Sequence, residues 1–82
     1  MSLTKYAFFN YHFFFFFFDV YSFGVLLCEI CIRELPNPDR RDEQVAMVTN
    51  RVLRALIRGC LHQDPQERPS MEGIIGELEK LV

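Results

Sequence analysis

Asp19-Val20-Tyr21-Ser22-Phe23-Gly24-Val25-Leu26-Leu27-Cys28-Glu29-Ile30-Cys31-Ile32-Arg33 is the stretch on which the fold turns. Val20, Phe23, Val25, Leu26, Leu27, Ile30 and Ile32 cover more than one face of a helix, and a helix apolar nearly all round belongs in an interior. It should end by Leu35, because Pro36 disfavours helical geometry at the residue before it and Pro38 repeats the restriction at Asn37. Downstream, Asp39 or Asp42 is placed to cap a short helix running through Glu43, Gln44, Val45, Ala46 and Met47. Thr49 or Asn50 is placed to cap the next, in which Val52, Leu53, Leu56, Ile57, Cys60 and Leu61 follow helical spacing until Asp64-Pro65 stops it. Ser70 then stands at an N-cap, Glu72 favours the positive helix terminus, and Met71, Ile74, Ile75, Leu78, Leu81 and Val82 draw one apolar stripe. No strand pattern appears after Asp19, so the expected fold class is all-α: one buried helix plus two or three amphipathic ones.

Upstream the composition changes abruptly. All twelve aromatic residues lie between Tyr6 and Phe23, whereas all eleven acidic residues begin at Asp19. Residues 1–18 carry one formal charge, Lys5, and Phe13 to Phe18 form an unbroken homopolymer, which is low complexity. Residues 19–82 hold every proline and glycine and the periodic blocks of a folded region. The expected organisation is therefore a Phe-rich segment over 1–18 and a helical domain over 19–82. A chain of 82 residues makes at most one small domain and buries only roughly 60–65% of the surface its unfolded form exposes. Its formal net charge of −2 excludes a strongly basic nucleic-acid binder. Three cysteines with no clear signal peptide cannot close an intramolecular disulfide framework, so a reducing, cytoplasmic setting is expected.

The string Asp19-Val20-Tyr21-Ser22-Phe23-Gly24-Val25, an apolar helix, and then Cys60-Leu61 … Asp64-Pro65-Gln66-Glu67-Arg68-Pro69-Ser70 together resemble the late portion of the eukaryotic protein kinase domain, most closely its tyrosine-kinase-like and tyrosine kinase branches. The resemblance covers Asp19 to Val82 and implies a C-terminal piece of the helical lobe. It implies architectural roles for two residues. Asp19 resembles the aspartate that opens the central helix and holds backbone amides of the catalytic loop. Arg68 resembles the arginine that pairs with a glutamate ending the activation segment. Read from the residues alone, Asp19 is a helix N-cap and Arg68 a solvated loop cation, bonded to Glu67 or Glu72 or left in water. The parent family transfers phosphoryl groups from ATP with magnesium, which needs a glycine-rich loop, a strand lysine, a catalytic-loop aspartate and asparagine, and a metal-binding aspartate. These 82 residues contain none of those motifs. The chain is thus expected to be non-catalytic and to bind neither cofactor nor metal. It also departs from the family after the first helix, where Glu34-Leu35-Pro36-Asn37-Pro38 leads quickly into a short helix and weakens any substrate-docking role.

Other constellations point to packing. Cys28 and Cys31 have metal-ligand spacing, but a tetrahedral site needs four ligands and only Cys60, His12 and His62 remain. Buried cysteines on an apolar helix are the expected outcome. Arg51, Arg54 and Arg58 line one helix face and read as a solvated face or a site for phosphate or an acidic partner. The aromatic stretch over 6–18 is shorter than the roughly 20 residues that span a bilayer, and extending it to Ile32 places Asp19 and Glu29 inside. An alternative function is therefore a small membrane-associated or interaction peptide using this segment. Phenylalanine codons are pyrimidine-rich, so the run also resembles translated non-coding sequence. The expected partners are a second copy or a partner helix, because Phe23, Leu26, Leu27 and Ile30 should leave an apolar patch larger than the few hundred Å² common on monomers.

Overall fold

The computed structural model of the chain describes residues 20–82, which are all helical with no strand. Helix α1 spans Val20–Ile32, α2 Arg41–Ala46, α3 Arg51–Cys60 and α4 Met71–Glu79, with 3-10 turns at Pro38–Arg40 and Pro65–Glu67. The all-α expectation therefore holds for the described residues. No described helix is long and apolar enough to cross a membrane.

Local chemistry sets the ends. Helix α1 closes at Arg33, which adopts a left-handed φ of 59° while its N–H donates to the Glu29 carbonyl at 2.7 Å. That position ordinarily favours glycine, since a side chain crowds the following carbonyl there. Asn50 caps α3, its Oδ1 accepting from the N–H groups of Val52 and Leu53 at 2.9 and 3.0 Å. Ser70 caps α4 by accepting from Gly73 N–H at 3.0 Å. The expected Asp39 or Asp42 cap does not form. Instead Asn37 accepts from Asp39 N–H at 3.0 Å and starts the 3-10 turn, which runs straight into α2 with no side-chain cap at Arg40. Proline at the first position of that turn has already fixed the entry, so α2 inherits its first turn rather than needing one of its own.

The core has two apolar clusters, and α1 packing on α3 is the most extensive contact between elements. Val20, Leu56, Cys60 and Ile74 join α1, α3 and α4, flanked by Phe23, Leu27, Met71 and Leu78. Cys28, Val45, Val48 and Ile57 join α1, α2 and α3. Along α1 the buried residues are Val20, Gly24 and Cys28, one row at spacing four. Gly24 permits the close crossing: a Cβ built there would lie 2.7 Å from Cys60 Cβ. The remaining faces of α1 are not covered as its composition led one to expect, since Leu26 is 51% and Ile30 62% exposed. Phe23 and Leu27 are half-buried against the core, so only two of the four residues expected in an open apolar patch stand clearly in it. The α4 stripe is narrower too: Ile74 is buried and Met71 and Leu78 flank it, whereas Ile75, Leu81 and Val82 are exposed.

Candidate interaction site around Tyr21 and Arg68

The first turn of α1 and the loop leading to α4 meet at one point. Tyr21 sits half-buried on α1, and the Arg68 guanidinium carbon lies 5.0 Å from its ring centroid, a cation–π distance. Arg68 reaches this place because the 3-10 turn at Pro65–Glu67, capped by Asp64 through Gln66 N–H at 3.0 Å, delivers it in extended backbone geometry. Its Nε donates to the His62 carbonyl at 2.8 Å. The ion pairs among the described residues are Arg40–Glu43 and Lys80–Glu77, so Arg68 bonds neither Glu67 nor Glu72. A carbonyl and a π face take their place. Asp19, the other residue singled out by the sequence, lies outside the described residues, as do residues 1–18.

Beside Tyr21 opens a cleft of about 460 Å³ between α1, α2 and the end of α3, lined by Arg41, Asp42, Val45, Arg58, Leu61 and Gln63. A second, shallower groove of about 600 Å³ runs along Val52, Leu56 and Pro69 under Arg51, Glu67 and Glu77. The three arginines of α3 therefore part company. Arg51 borders the shallow groove, Arg58 the cleft, and Arg54 turns back to donate to the Val48 carbonyl at 2.9 Å.

The cysteines are free thiols held in the core or against it. Burial pushes the Cys60 thiol up from 9.0 to about 11. Cys28 is also raised, by burial first and by neighbouring Cys31 second, with the Arg41 charge pulling the other way. A raised thiol is a poor thiolate source at neutral pH, which is the chemistry of packing and not of nucleophilic attack.

Gln44 is a buried polar residue that the sequence analysis does not single out. It is 3% exposed, its Nε2 donates to the Leu35 carbonyl at 2.9 Å, and its Oε1 accepts from Asn37 N–H at 3.0 Å. One side chain thereby satisfies two backbone groups of the loop joining α1 to α2. Its sequence signal is only that an amide stands beside Val45 among residues otherwise charged.

Over 78% of its length the chain is 36% identical to the dual specificity protein kinase shkA of Dictyostelium discoideum. It is 34% identical over 67% of its length to the mixed lineage kinase domain-like protein of Mus musculus, and 33% identical over 77% to the scaffold protein ILK of Homo sapiens. The chain spans only 15%, 14% and 17% of those three relatives, respectively. No family model matches the chain, and no solved structure matches it. The sequence similarities support a kinase-like fragment, and the helical architecture is consistent with a piece of a kinase helical lobe.

Proposed function

We propose that residues 19–82 are the end of a kinase-like helical lobe, of the tyrosine-kinase-like type, and that this chain does not itself transfer phosphoryl groups. The observation that carries the reading is the Arg68–Tyr21 contact. The two motifs on which the resemblance rests are far apart in sequence, yet the guanidinium of one lies 5.0 Å from the ring of the other. They act there as architecture: a ring, a cation and a carbonyl that tie the α4 loop to α1. Within these residues nothing cradles a nucleotide phosphate or holds magnesium by the family's motifs, so the role left to the fragment is to pack and to bind. One of the similar proteins is itself named a scaffold protein. By the resemblance Asp19 shares this architectural role, and the sequence of residues 1–18 is Phe-rich and unlike that of the domain. The exposed Leu26 and Ile30 give α1 a face for self-association or a partner helix. The three free cysteines suit a reducing, cytoplasmic setting.

Isothermal titration of the chain with magnesium and ATP tests the catalytic half of the proposal. No saturable heat is expected, and a stoichiometric, magnesium-dependent isotherm would overturn it. Sedimentation of the full chain and of a form without residues 1–18 tests the other half. The full chain should self-associate more strongly; a stable monomer at micromolar concentration contradicts that.

A further inference from the structure

We propose that the cleft between α1, α2 and α3 binds a short peptide segment carrying one carboxylate, with Arg41 and Arg58 holding the carboxylate. The site stands on the cleft itself and does not rest on the kinase-like reading. Its volume of about 460 Å³ lies within the range of sites that enclose a small ligand or a few side chains. Arg41 comes from the first turn of α2 and Arg58 from the last turn of α3, so two different elements bring arginines to the lining of one cavity. The hydrogen bonds and ion pairs among the described residues engage Arg40, Arg54 and Arg68 but neither of these two. A guanidinium fork matches a carboxylate in two parallel bonds, which selects this chemistry over a neutral ligand.

The rest of the lining decides what accompanies the carboxylate. Pro38, Val45, Leu61 and Tyr21 also line the cleft, and a volume of about 460 Å³ exceeds that of a bare anion and has room for the neighbours of an acidic residue. Asp42 lies on the same rim, so the lining carries a net single positive charge. A second acid in the ligand would face Asp42, which gives selectivity for one carboxylate over an acidic run.

The experiment is fluorescence anisotropy of the C-terminally amidated peptide Gly-Leu-Glu-Leu-Gly, labelled at its N-terminus with an uncharged BODIPY dye, against the full chain. Saturable binding is expected, weakened about tenfold or more by Arg41→Gln, by Arg58→Gln, and by replacing the peptide's glutamate with glutamine. Arg51→Gln, outside the cleft, should leave the affinity unchanged. Arg58→Lys, which keeps the charge and loses the fork, should fall between wild type and Arg58→Gln. Circular dichroism confirms that each variant remains helical; Arg58 is exposed, so its replacement leaves the core intact. Absence of saturable binding, equal affinity for the glutamine peptide, or indifference to both Arg41→Gln and Arg58→Gln overturns the assignment. Displacement of the peptide by an equal concentration of inorganic phosphate also overturns it, in favour of a small-anion site.

Discussion

Gly24→Ala tests the packing of α1 on α3 at the point where the two helices come closest. The added Cβ would stand 2.7 Å from Cys60 Cβ and 3.2 Å from Leu61 Cδ2. Carbon atoms prefer separations of about 3.5–4.0 Å, so the first contact is short by about 1 Å. Cys60 Cβ is fixed to the α3 backbone and has no torsion by which to move aside, so the helices themselves must part. Overpacking of this kind costs about 1–3 kcal/mol. Alanine returns about 0.8–1.0 kcal/mol of helix propensity over glycine. Because the clash is with a backbone-anchored atom in the fold's largest interface, the upper part of the overpacking range applies, and the net loss should be about 1–2 kcal/mol. The assay is a urea melt of the full chain followed by far-ultraviolet circular dichroism. Gly76→Ala is the internal control: a Cβ added there meets nothing within 4 Å, so the same substitution should stabilise by about 0.5–1 kcal/mol. A double-mutant cycle with Cys60→Gly isolates the contact, since Gly24→Ala should lose most of its cost when the opposing Cβ is gone. A Gly24→Ala chain as stable as wild type, or a cycle with no coupling, would refute the close-crossing account.

Cys60 should make stability pH-dependent in the alkaline range. Its folded pKa of about 11 exceeds the ordinary 9.0, so between those values the unfolded chain binds fewer protons. The stability that Cys60 contributes is therefore present in full below pH 9 and lost as pH rises through 11. Thermal melts at pH 8 and pH 10.5 should show a smaller drop for Cys60→Ala than for wild type, and equal drops would count against the shift. Gln44→Leu leaves the Leu35 carbonyl and Asn37 N–H without their partner and should cost about 1–3 kcal/mol in a urea melt; a neutral result would mean that water replaces the amide. Arg68→Leu removes a hydrogen bond to the His62 carbonyl and the stacking on Tyr21, both at the surface, and should cost about 1 kcal/mol. A loss of several kcal/mol in the same melt would require a buried acid that pairs with Arg68.

The ends of the elements are legible in the sequence because local chemistry makes them. Pro36 and Pro38 exclude helix over a few residues whatever the chain packs against, and Asn50 and Ser70 supply side-chain oxygens to the amides two or three residues on. The order of the helices and the absence of strand follow from the apolar spacing in the same way. Even there one local choice misleads, because Asp39 and Asp42 look like caps while Asn37 has already opened the turn.

What the tertiary structure decided is which faces meet. An apolar surface nearly all round α1 carries no phase, so nothing in its periodicity distinguishes Val20, Gly24 and Cys28, which turn inward, from Leu26 and Ile30, which do not. The choice comes from fit: Gly24 lets Cys60 approach as no larger residue would, and that approach rotates α1. Side chains with several donors are equally silent in sequence. Arg68, with acids on either side of it in the chain, bonds a carbonyl and a ring; Arg41 and Arg58 are widely separated in the chain and share one cleft. A guanidinium bonds whatever acceptor the packing brings within reach, and that acceptor is fixed only when distant segments have been placed side by side.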